Sequence, residues 1–79
     1  MKKYSLFVVD DENVARQGLA LALQKHYRVV DFDAAEPAID ALAHHVPDII
    51  LLDIGLPGLC GTEALEVIKE RHPGLLVIM

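Results

Sequence analysis

A chain of 79 residues has room for one small domain, and a domain of this size buries roughly 60% of its unfolded surface, so its stability is marginal. Hydrophobic residues make up 53% and charged residues 24%, which excludes a disordered tail and a collagen-like repeat. The formal net charge of -5, with Lys and Arg scattered along the chain, leaves no basic footprint for nucleic acid or an anionic membrane.

Met1-Lys2-Lys3 has the charge of a signal-peptide start, but the apolar run that follows is too short and ends in acid. No stretch approaches the ~20 apolar residues of a membrane span. One cysteine, Cys60, rules out an internal disulfide and suits a reducing compartment, so a cytoplasmic protein is expected.

Leu6-Phe7-Val8-Val9, stopped by Asp10-Asp11, predicts a strand buried on both faces. Ala15, Leu19, Ala22 and Leu23 recur at helical spacing and predict an amphipathic first helix. Tyr27 to Phe32 predicts a second strand, and its Arg28 and Asp31 suit an edge position. Asp33 resembles an N-cap with Glu36 as its return partner. Ala35, Ala38, Ile39 and Leu42 give the second helix an inner face, His44 and His45 fall near its end, and Pro47 closes it. Ile49 to Leu52 predicts a third strand ending at Asp53. A loop with Gly55, Pro57, Gly58 and Gly61 leads to a third helix over Thr62 to Arg71, with Ala64, Leu65 and Ile68 inward. Pro73-Gly74 stops it, and Leu75 to Met79 begins a fourth strand.

Strand and helix alternate throughout, which predicts the α/β class: a parallel sheet covered by helices. Ligands of such sheets bind at the carboxyl ends of the strands. Those ends carry Asp10-Asp11 after the first strand and Asp53 after the third. If these strands are neighbours, three carboxylates converge and repel one another. Magnesium, a hard cation that takes oxygen ligands alongside a phosphate, relieves that repulsion. The plainer alternative is that each Asp caps the following helix, and Asp11 is expected to cap the first helix in either case.

At these residues the chain resembles the response-regulator receiver domains of two-component signalling. Val8-Val9-Asp10-Asp11-Glu12 is similar to their first-strand signature. Asp48 to Gly61, with Asp53 at its centre, is similar to their phosphorylation-site motif. The resemblance implies a flavodoxin-like parallel sheet with helices on both faces. It implies that Asp53 is the phosphoacceptor, that Asp11 binds Mg2+ directly and Asp10 through water, and that the Gly55 carbonyl completes the metal site. Pro57 and Gly61 match the turn that shapes the loop before the third helix; Glu12 receives no direct role.

The resemblance further implies a sensor histidine kinase or phosphotransfer protein as phosphodonor, and a switch that assists its own phosphorylation rather than an enzyme turning over a substrate. A transcriptional effector would lie outside residues 1–79. The family's Ser or Thr after the fourth strand, its Lys after a fifth strand, and its fourth helix, fifth strand and fifth helix lack counterparts here, so an incomplete receiver domain is expected. Its fourth strand is then an open edge that recruits a second copy, as a homodimer or by strand exchange.

A degenerate receiver that binds partners without phosphorylation is the alternative function. An aspartyl-phosphate phosphatase fits poorly, because its two acids stand two residues apart whereas Asp10 and Asp11 are adjacent. A dinucleotide-binding module needs a Gly-rich turn where Asp10-Asp11-Glu12-Asn13 stands. Cys60 is expected to be a small residue tolerated on a loop. His26, His44, His45 and His72 show no metal-ligand spacing with it.

Overall fold

The computed structural model describes residues 3–56, 58 and 60–79. Four strands, β1 (Ser5–Val9), β2 (Arg28–Phe32), β3 (Ile49–Leu52) and β4 (Leu76–Ile78), alternate with α1 (Asn13–Gln24), α2 (Ala35–Ala41) and α3 (Gly61–Arg71). All pairings are parallel and the sheet order is β2-β1-β3-β4. This is the expected α/β, flavodoxin-like arrangement, with β2 at one edge and β4 at the other.

Register divides the sheet into two faces, because successive side chains on a strand point to opposite sides. Phe7 pairs with Ile50 and Val9 with Leu52. These four pack with Ala35, Ala38, Ile39 and Leu42 on the α2 side and Ala64 and Ile68 of α3. Phe32 meets Phe7 edge-on, with ring centroids 4.9 Å apart. The inner faces expected for the second and third helices are therefore buried, with Leu65 half-buried. At about 25 cal/mol per Å² of apolar surface removed from water, this layer is the main source of stability.

The other face carries Leu6, Val8, Ile49 and Leu51 and is only partly covered. Here the apolar stripe of α1 is mostly open to water. Its buried residues are Arg16 and Ala20; Ala15, Leu19 and Ala22 are exposed and Leu23 is half-buried. The helix leans on β2, so its apolar stripe overhangs a trough of about 390 Å³ lined by Tyr4, Leu6, Leu23, Leu51 and Ile78 among others.

Two cap assignments also change. Glu12, not Asp11, caps α1: its carboxylate accepts from the N–H groups of Val14 (3.3 Å) and Ala15 (2.6 Å). Ala34, not Asp33, occupies the N-cap of α2, with no side-chain bond. Cys60 is the N-cap of α3; its Sγ bonds the Glu63 carboxylate rather than a backbone N–H. His45 is exposed yet places Nε2 2.7 Å from the Ser5 hydroxyl. No helix among the described residues is long and apolar enough to cross a membrane.

Candidate functional site

Central strands β1 and β3 run side by side, and the ladders of β1 with β2 and of β3 with β1 each continue one residue further. The Asp10 N–H donates to the Phe32 carbonyl (3.1 Å) and the Asp53 N–H to the Val9 carbonyl (2.9 Å). These bonds set Asp10 and Asp53 next to each other at the carboxyl edge of the sheet. Asp11 follows on the turn into α1. The three acids each bring a carboxylate oxygen within 4.8 Å of the others; Asp10 and Asp53 are half-buried and Asp11 is exposed. Asp10 and Asp53 also line a cleft of about 300 Å³ that runs towards Leu19 and Met79.

Both half-buried acids are oriented in the same way. Asp10 Oδ1 accepts from the Glu12 N–H at 3.0 Å, and Asp53 Oδ1 accepts from the Gly55 N–H at 3.1 Å. Each bond runs two residues down the chain, as in turns built on an Asp side chain. One oxygen of each carboxylate is thereby held and the other is left for a ligand. The donor set is three carboxylates with no nitrogen or sulfur, which suits a hard divalent cation such as Mg2+.

Gly61 packs against the backbone beneath Asp53. Its N–H donates to the Ile54 carbonyl at 3.2 Å. A Cβ there would stand 2.6 Å from the Ile54 Cα and would also collide with the Asp53 carbonyl. Only glycine lets α3 begin this close to the acid-bearing loop. Pro57, the other residue expected to shape that loop, lies outside the described residues.

Sequence reasoning overlooked two contributors. Glu12, to which it gave no role, caps the helix entered from the acidic turn. Arg16 is buried between that turn and β2. A charge on the flank of a mostly apolar helix, with Asp31 in an edge strand to answer it, was the available signal.

The family described as the response regulator receiver domain matches residues 6–79. The chain belongs to that family. It is 38% identical over 80 residues to the DNA-binding transcriptional regulator NtrC of Escherichia coli K12, covering 100% of this chain and 17% of that protein. It is also 38% identical over 78 residues to the protein-glutamate methylesterase/protein-glutamine glutaminase of Nitrosospira multiformis, covering 95% of this chain and 22% of that one. Among solved structures, a CheY-like receiver domain protein from Methanospirillum hungatei superposes with a TM-score of 0.93. Its identity is 26%, and the match covers 99% of this chain and 63% of that one. The receiver chain thus spans about a fifth of these two curated relatives and under two thirds of the solved neighbour.

Proposed function

We propose that this receiver domain is a phosphoacceptor switch in which Asp53 takes a phosphoryl group from the phosphohistidine of a sensor histidine kinase or phosphotransfer protein. The supporting observation is the convergence of Asp10, Asp11 and Asp53 at the ends of neighbouring strands. With Oδ1 held by the Gly55 N–H, the second oxygen of Asp53 is the nucleophile. It forms the new bond to phosphorus as the P–N bond to the donor imidazole breaks, and the product is an acyl phosphate.

Asp10, Asp11, Asp53 and the Gly55 carbonyl are the residues that would hold Mg2+. When bound, Mg2+ offsets negative charge on the carboxylates and on the phosphoryl oxygens. The residues themselves supply position and field, the main sources of catalysis in such transfers. Once made, the acyl phosphate carries about two negative charges where the carboxylate carried one, a local change that can bias a two-state element.

Control of a transcriptional output goes with this reading because NtrC, a DNA-binding transcriptional regulator, is a relative. The methylesterase relative shows that similar segments also occur in enzymes; for this chain we infer a switch without turnover. A cytoplasmic setting goes with the same reading, as does pairing of a second copy along the open β4 edge.

The test is incubation with a small acyl phosphate donor and Mg2+, followed by intact-mass measurement and peptide mapping. One phosphoryl group on Asp53, absent without Mg2+ and absent in Asp53→Asn, is expected. An unchanged mass for the folded protein overturns the reading and favours a pure interaction module.

A further inference from the structure

Arginine is almost never buried without partners, because removing its charge from water is costly. Arg16 keeps only 10% of its side chain exposed, and the phosphoacceptor reading gives it no part. Each of its three guanidinium nitrogens donates one hydrogen bond. Nε donates to Asp31 Oδ2, Nη1 to the Asp10 backbone carbonyl, and Nη2 to Asn13 Oδ1, each at 2.9 Å. Asp31 can be reached because it pairs with Val8 on the face of β2 that looks towards α1. One planar group therefore ties the edge strand, the end of β1 and the first turn of α1 together.

The middle of these bonds is the informative one. The Asp10 carbonyl belongs to the peptide unit that joins Asp10 to Asp11, and a peptide unit is rigid and flat. Holding its oxygen fixes the plane from which both side chains depart. The same turn is fixed from the other side by the Glu12 N–H on Asp10 Oδ1.

We propose that Arg16 is a positioning residue that clamps the Asp10–Asp11 peptide, so that both carboxylates are aimed at the cation site before a cation arrives. This inference rests on the Mg2+-binding reading above. The sign of its effect separates it from a plain electrostatic role. A guanidinium beside a cation site repels Mg2+, so deleting a mere charge tightens binding. Deleting a clamp loosens it, because a site must be held within about 0.5 Å of its productive geometry.

The experiment compares the wild-type chain with Arg16→Met, which keeps an unbranched apolar stem and removes the guanidinium with its three bonds. Calorimetric Mg2+ titration reads affinity, and amide exchange of Glu12 in metal-free protein reads the turn itself. Arg16→Met is expected to weaken Mg2+ binding about tenfold, the lower end of the effect of losing a group that orients ligands, and to speed Glu12 exchange more than that of Ile50. Equal or tighter Mg2+ binding, with unchanged Glu12 exchange, overturns the proposal. If the wild-type chain binds no Mg2+, the metal reading fails by itself, and Glu12 exchange still decides whether the clamp exists. If Arg16→Met does not fold, Asp31→Asn carries both measurements. It unmoors the guanidinium while sparing the Asp10 bond, and is expected to shift both readouts in the same direction by a smaller factor; no shift in either overturns the clamp.

Discussion

Replacing Gly61 by alanine tests whether the start of α3 is seated against the acceptor loop. The added Cβ would stand 2.6 Å from the Ile54 Cα, where ordinary contact begins at 3.4 Å. The helix start must then withdraw by about 0.8 Å, the difference between those two figures. The Gly61 to Ile54 hydrogen bond, now 3.2 Å, stretches to about 4 Å and is lost. Its loss costs about 1 kcal/mol, and crowding a packed position costs about 1–3 kcal/mol more. The lower backbone entropy of alanine returns roughly 0.5–1 kcal/mol. The net expectation is destabilisation of roughly 2 kcal/mol. A chain of this length is stable by roughly 4–12 kcal/mol, so the effect is large. In thermal unfolding followed by far-UV circular dichroism it lowers the midpoint by roughly 8–16 °C. Gly18→Ala is the matched control: it sits mid-helix with nothing within 4 Å of the new Cβ, and is expected to stabilise by roughly 0.5–1 kcal/mol. If Gly61→Ala matches the wild type or shifts in the same direction as Gly18→Ala, the seating argument is wrong.

Glu12→Ala removes both N-cap bonds of α1 and is expected to cost about 1 kcal/mol in urea unfolding; an unchanged midpoint removes the cap assignment. Leu76 and Ile78 stand 54% and 48% exposed on edge strand β4, so the chain is expected to self-associate as its concentration rises. Light scattering should show this, and Leu76→Lys with Ile78→Lys should suppress it. A constant monomer mass for the wild type would remove the edge-pairing inference.

Most of the architecture was legible because strands buried on both faces read as unbroken apolar runs. Ile49–Leu52 was located to the residue, and the α2 and α3 stripes face the core as their spacing predicts. The α1 stripe shows that periodicity says which residues share a face, not what that face meets. Ala15, Leu19, Ala22 and Leu23 do recur at helical spacing, yet the helix leans on β2 through Arg16 and Ala20. The caps escaped for a different reason. A cap depends on one residue's backbone angles, and Glu12, an uncommon cap type, holds an extended conformation (φ -86°, ψ 111°). The contact of His45 with Ser5 joins residues 40 apart in sequence, beyond the reach of any local pattern. The acidic trio was legible as a possibility contingent on β1 adjoining β3, and the sheet order supplies that condition.

Among the described residues the two faces of the sheet are covered unequally. Phe7, Val9, Ile50 and Leu52 are sealed beneath α2 and α3, whereas Leu19 and Leu21 of α1 meet water. Local opening starts where the fewest apolar contacts resist it, which is at α1. The Asp10–Asp11 turn leads straight into that helix, so two of the three acids sit on a seam between a firm half and a loose one. Any ligand that gathers them with Asp53 stitches the loose half down. Occupancy of the pocket and the lifetime of α1 then become two readings of a single equilibrium, each reporting on the other.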